Sequence, residues 1–156
     1  MNMELTGMED LFLQLKKRLS TPGRVISIDG VAQAGQKALA DTLAGRFACQ
    51  LIEVDHTADA QQLIAGAAAG RKKGHVIISG ILMRRILAAA GLKPDIAIYV
   101  IPSEKNNRRA FWEGILSKPQ QEYLAELKAD LDKKTVEYHW KHHPIINADY
   151  LVEGDE

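Results

Sequence analysis

Arg24 to Phe47 reads RVISIDGVAQAGQKALADTLAGRF, and it holds the residues whose types and spacing best suit chemistry. Gly30, Val31, Ala32, Gln33, Ala34, Gly35, Gln36, Lys37 and Ala38 form a glycine-bounded loop. Such a loop surrounds an anion with successive backbone N–H groups and with the positive end of the helix that follows it. Glycine is needed where the backbone turns tightly or must approach a phosphate closely. The flanking residues supply the elements that would position the loop. Val25, Ile26 and Ile28 make a short β-branched apolar run, which predicts a buried strand. Ala38, Leu39, Ala40, Leu43, Ala44 and Phe47 recur at helical spacing among strong helix formers. The competing reading is a plain strand-to-helix turn with no ligand.

The stretch resembles the Walker A region of P-loop small-molecule kinases, above all the uridine kinase and phosphoribulokinase family, which typically reads I-D-G-x-x-G-x-G-K-S-T-L-A. Laid on this chain without gaps, Ile28, Asp29, Gly30, Gly35, Leu39 and Ala40 match. Gln33 replaces the middle glycine, Gln36 the lysine, Lys37 the magnesium-holding Ser/Thr, and Ala38 the residue after it. Backbone amides do not depend on side-chain identity, so phosphate binding can outlast these changes. Loss of the magnesium hydroxyl is harder to absorb, because the metal neutralises charge on the transferred group. Lys37 would project near that position, where its ammonium could replace part of the metal's charge.

Other matches extend the resemblance over nearly the whole chain. Asp55 follows an apolar run from Cys49 and falls where the family has an aspartate at the end of its second strand. The resemblance implies that Asp55 contacts the acceptor hydroxyl and takes its proton. Read from the residues alone, Asp55 could equally cap the next helix, with Asp59 in its first turn. Ser79-Gly-Ile-Leu resembles the family's E-G-I-L, with Ser79 in place of an acid that organises magnesium. Pro94-Asp-Ile-Ala-Ile-Tyr-Val and Ala148-Asp-Tyr-Leu-Val match family phrases at the fourth and fifth strands. Arg108 and Arg109 lie where the family places lid arginines, so the resemblance makes them candidates for stabilising charge in transfer. Exposed arginines paired with nearby acids are the bland alternative.

The resemblance implies ATP as phosphoryl donor and a small hydroxyl acceptor, while Lys37 and Ser79 argue against magnesium. The resemblance leaves adenine recognition open, because relatives form the base pocket partly from a further C-terminal segment. A second reading is a catalytically degenerate relative that binds a phosphate-bearing small molecule or a protein partner without transferring phosphate.

The rest of the chain fits one α/β domain over 1–156, a three-layer α/β/α sandwich with a mostly parallel five-stranded sheet. By resemblance the strand order is 2-3-1-4-5. An amphipathic helix over Met8–Leu19, within a 1–22 segment, precedes the first strand. An alanine-rich helix over Asp59–Gly70 ends at Gly70, and a short helix spans Met83–Ala90. A lid-like helical region covers 103–143, with Ser103 as N-cap and a helix running from Pro119 to about His142. His139, His142 and His143 read as a cation-rich helix terminus rather than a metal site. Net charge is zero, which speaks against nucleic-acid and membrane partners. Cys49 is the single cysteine, the start lacks a signal-peptide pattern, and no apolar run is of spanning length, so a cytoplasmic protein is expected. A homo-oligomer is compatible with the sequence.

Overall fold

A computed structural model of the chain describes residues 4–57 and 59–154; the remaining positions of the 1–156 domain lie outside the described residues. The five strands are β1 (Val25–Gly30), β2 (Gln50–Glu53), β3 (Val76–Ser79), β4 (Ile96–Ile101) and β5 (Tyr150–Glu153). They form one sheet in the order β2-β3-β1-β4-β5, and every neighbouring pair is parallel. This is the expected three-layer P-loop arrangement. β1 lies at the centre with all of its residues buried, as its continuous apolar pattern requires.

Side-chain alternation divides the core between the two faces of the sheet. Ile26, Ile28 and Ile77 join Leu11 and Leu15 of α1 (Met8–Arg18) and Leu39, Ala40 and Leu43 of α2 (Gln36–Phe47). Val25, Val76 and Ile78 join Leu63 and Ala67 of α3 (Ala60–Lys73) and Met83 and Leu87 of α4 (Met83–Ala89). Parallel strands need crossovers, and α2, α3 and α4 supply those between β1, β2, β3 and β4.

Local boundaries differ from the sequence reading in three places. α3 runs through Gly70 to Lys73, and Gly74, at φ 154°, ends it. Gly70 sits inside the helix because a Cβ there would lie 2.5 Å from the Val76 side chain, so it permits close packing on β3 rather than a stop. Ser103 is not a helix cap. Residues 103–108 form turns, closed by Asn106 N–H to the Ser103 carbonyl and Arg109 N–H to the Asn106 carbonyl, before α5 (Arg109–Ser117) starts. The helix expected from Pro119 to His142 is two, α6 (Gln120–Glu126) and α7 (Asp130–His142). Leu127 turns extended and packs on the core, and Asp130 and Asp132 then start α7 where the helix dipole favours acids.

α5 and α6 meet at Gly114, where a Cβ would lie 2.5 Å from the ring of Tyr123. The Tyr123 hydroxyl donates to the Phe111 carbonyl at 3.0 Å, so the ring cannot step aside freely. Gly114→Ala should therefore destabilise the fold by about 1–3 kcal/mol despite alanine's better helix propensity, measured by urea unfolding. An unchanged midpoint would show that Tyr123 repacks at no cost.

Candidate functional site at the carboxyl ends of the strands

The loop after β1 bends without its middle glycine. Gln33 takes φ 64°, a left-handed conformation that costs an ordinary residue about 1–2 kcal/mol, and Gly35 takes φ 116°. The Asn106 side-chain amide donates to the Gln33 carbonyl at 3.0 Å and holds the bend from above. Gly30 is needed for space: a Cβ there would lie 2.9 Å from the Gln36 amide nitrogen and 2.9 Å from the Val100 carbonyl.

Gln36 is the centre of the loop. Its side chain is buried and folds back into the loop instead of facing the cavity alone. Nε2 donates to the Val31 carbonyl at 2.7 Å and to the Gly80 carbonyl at 3.3 Å, and Oε1 accepts from the Ala34 N–H at 3.1 Å. The amide thus matches one donor and two acceptors at once, which a lysine ammonium, having no acceptor, cannot do. The Ala34 N–H is taken up inside the loop, by Gln36 and by the Val31 carbonyl at 3.2 Å. The first N–H groups of α2 have no intrahelical partners and remain for an anion.

In front of the loop lies a cavity of about 730 Å3. Ala32, Gln33, Gly35, Gln36, Lys37 and Ala38 line it, whereas Gly30, Val31 and Ala34 lie behind them. Asp55, Ser79 and Leu131 border the same space, so three segments far apart in the chain converge there. Lys37 is exposed on its wall, with no carboxylate within ion-pair distance among the described residues.

Asp55 does not cap α3. Asp59 does that by accepting from the Gln61 N–H at 2.8 Å. The Asp55 carboxylate closes a local turn instead, accepting from the Thr57 hydroxyl at 2.6 Å and the Thr57 N–H at 2.8 Å. Those bonds hold its carboxyl below the usual range. Arg108 and Arg109 are not among the residues that line the cavity. Arg108 pairs with Asp132 at 2.6 Å and covers the Phe111 ring. Arg109 pairs with Glu113 at 2.8 Å and donates to the Pro102 carbonyl at 2.7 Å.

Behind the loop is a buried polar network that the sequence did not announce. Asp29 is wholly enclosed and accepts from the Gly30 N–H at 2.8 Å, from the Met83 N–H at 3.4 Å and from the Tyr138 hydroxyl. Burial pushes its carboxyl up to about 6 against the opposing pull of those donors. Tyr138 also accepts the Arg84 N–H at 2.9 Å, which ties α7 to α4. Next to it, His139 is buried and not part of a cationic terminus, contrary to the sequence reading. Burial pulls its imidazole down to about 4. Its Nδ1 lies 2.7 Å from the Thr135 carbonyl, which can only accept, so Nδ1 carries the proton and Nε2 accepts from the Tyr99 hydroxyl at 2.5 Å. Cys49 is half-buried, and burial pushes its thiol up to about 11, which favours the protonated form near pH 7.

Lys37 stands where the resemblance would put a magnesium-holding hydroxyl, and Ser79 where it would put an acid. Among the described residues there is no group of three His, Cys, Asp or Glu that could hold a metal ion.

Comparison with known proteins bears on the fold. No family model matches the chain, and no curated protein matches its sequence. Among solved structures the chain is similar to a possible uridine kinase from Bacillus stearothermophilus, at 14% identity and a TM-score of 0.52, covering 92% of this chain and 96% of that one. It is also similar to shikimate kinase from Acinetobacter baumannii in complex with shikimate, at 13% identity and a TM-score of 0.44, covering 90% and 88%. At such identity the likeness is one of fold alone, the three-layer α/β/α P-loop arrangement already seen in the sheet order. No helix among the described residues is long and apolar enough to cross a membrane.

The two buried groups make opposite contributions to pH-dependent stability. Asp29 titrates higher in the folded state, so its contribution is complete below about pH 4 and lost as pH rises through about 6. His139 titrates lower when folded, so its contribution is complete above about pH 6.5 and lost as pH falls through about 4. Relative to wild type, Asp29→Asn should gain stability between about pH 4 and 6, by up to about 3 kcal/mol. His139→Phe should gain on acidification over the same range. Urea unfolding across pH reads both slopes, and parallel slopes for the two variants would contradict the assignment.

Proposed function

We propose that this protein uses the P-loop kinase fold to hold a phosphate-bearing small molecule without transferring phosphate. The observation that carries the reading is the Gln36 side chain, whose bonds to Val31, Ala34 and Gly80 fill the place of the catalytic lysine. Phosphoryl transfer relies on a cation and a metal at the leaving phosphates. Here the one cation on the loop is Lys37, one position later, and the ligand's phosphate would sit between its ammonium and the N-terminus of α2. A nucleotide such as ATP is the first ligand to test, because the loop sequence resembles those that hold one.

A second reading, transfer from ATP to a hydroxyl acceptor, draws support from Asp55, which lines the same cavity as Lys37. Against it, the Asp55 carboxylate already accepts from the Thr57 hydroxyl and N–H, which takes up part of its capacity to receive a proton.

Calorimetric titration of ATP in EDTA and in magnesium, on wild type and Lys37→Ala, separates the readings. Binding in EDTA is expected, unaided by magnesium, and weakened roughly tenfold or more by Lys37→Ala through loss of a charge-assisted contact. Magnesium-dependent binding accompanied by ADP formation with a hydroxyl acceptor would establish the second reading and overturn the first.

A further inference from the structure

A second feature lies outside the cavity. Between α4 and α7 is a groove of about 520 Å3, lined by Arg85, Lys134, Glu137, Tyr138, Lys141 and His142. Lys134 and Lys141 stand two turns apart on one face of α7, Tyr138 lies between them, and Arg85 faces them from α4. We propose that this groove is a second anion site, which takes the phosphate groups of a small molecule.

Three observations support it. The first is missing neutralisation. Arg84, Arg85, Lys134 and Lys141 gather at this recess, and none of them has a carboxylate within ion-pair distance among the described residues. In a chain whose formal charges cancel, this leaves a local excess of positive charge on one recess. Glu137, the one carboxylate lining the groove, pairs with neither lysine. The second is that the excess is felt within the groove. His142 is held below the ordinary histidine range, first by burial and then by Lys141, Arg84, Arg85 and His143. A bound anion would relieve that repulsion. The third is shape. The volume falls in the range of small-ligand sites, and the Tyr138 and His142 rings, 5.2 Å apart and inclined by 32°, form one wall. A long polyanion such as a nucleic acid would need an extended basic stripe, and Glu137 interrupts this one.

The groove has a direct link to the loop. Tyr138 lines it and reaches Asp29 at the loop's base and the Arg84 N–H of α4 with its hydroxyl. An anion that draws Arg85 and Lys141 together would clamp α4 onto α7 around that tyrosine. The site shares no lining residue with the cavity that holds Lys37, so it stands or falls independently of the proposed function.

The test follows the His142 ring signals by NMR while inorganic pyrophosphate, and separately ADP, are added in EDTA at about 0.15 M salt. His142→Gln assigns the signals. Saturable shifts are expected in wild type and in Lys37→Ala, with affinity falling at least about tenfold in Arg85→Glu/Lys141→Glu. Arg85→Gln/Lys141→Gln, with circular dichroism as a fold check, covers the case in which charge reversal disturbs packing. Equal affinities for the two probes would mean that phosphate alone is read, and tighter ADP would identify a nucleotide. Shifts that never saturate, that survive both double variants, or that vanish in Lys37→Ala would overturn the proposal.

Discussion

The rest of the structure depends on a carboxylate that has nowhere to go. Asp29 lies next to the end of the central strand with both faces of the sheet covered, so its oxygens must find donors inside the protein. They find them on three elements: the loop at Gly30, α4 at Met83 and α7 at Tyr138. That requirement brings a helix more than one hundred residues downstream onto the base of the loop. It also explains why α7 lies against α4 and the sheet here, with only Leu131, near its start, reaching the cavity.

The loop answers a similar requirement on a smaller scale. A tight backbone turn presents carbonyls inward as well as N–H groups, and an empty loop must satisfy both. An ammonium can serve the carbonyls only, whereas the Gln36 amide serves carbonyls and an N–H together. The Gln36 side chain thus holds the loop together without a ligand. Lys37, one position on, puts an exposed cation on the cavity wall.

The arginines show how local chemistry and site chemistry compete for the same side chain. Arg108 and Arg109 have the charge that phosphoryl transfer requires, but each is engaged by an acid close at hand, Asp132 and Glu113. Asp55 lies in the cavity, but its turn with Thr57 uses part of its capacity to accept. Such engagement depends on distances of a few ångströms that sequence spacing does not convey. The groove between α4 and α7 was hidden for the same reason, since Arg85 and Lys141 are neighbours only after the chain has folded.

Periodicity and turn chemistry made most of the fold legible. The five strands, the loop, the parallel order by resemblance, and the helices before and after β1 could all be read, because a fully buried strand must be apolar throughout and a surface helix must carry an apolar stripe. That Gln36 and Lys37 stand in the loop was visible as well, since residue identity needs no coordinates. Tertiary structure decided the rest. It put Gly70 inside a helix, because the adjoining strand comes too close for a side chain. It split the helix expected after Pro119 at Leu127, because that leucine packs on the core in extended form. It buried His139 as a neutral partner of Tyr99, joined Asp29 to Tyr138, and folded Gln36 into the loop. Each of these rests on the pairing of buried polar groups or on the exclusion of overlapping atoms, and both depend on which distant residues the fold brings together.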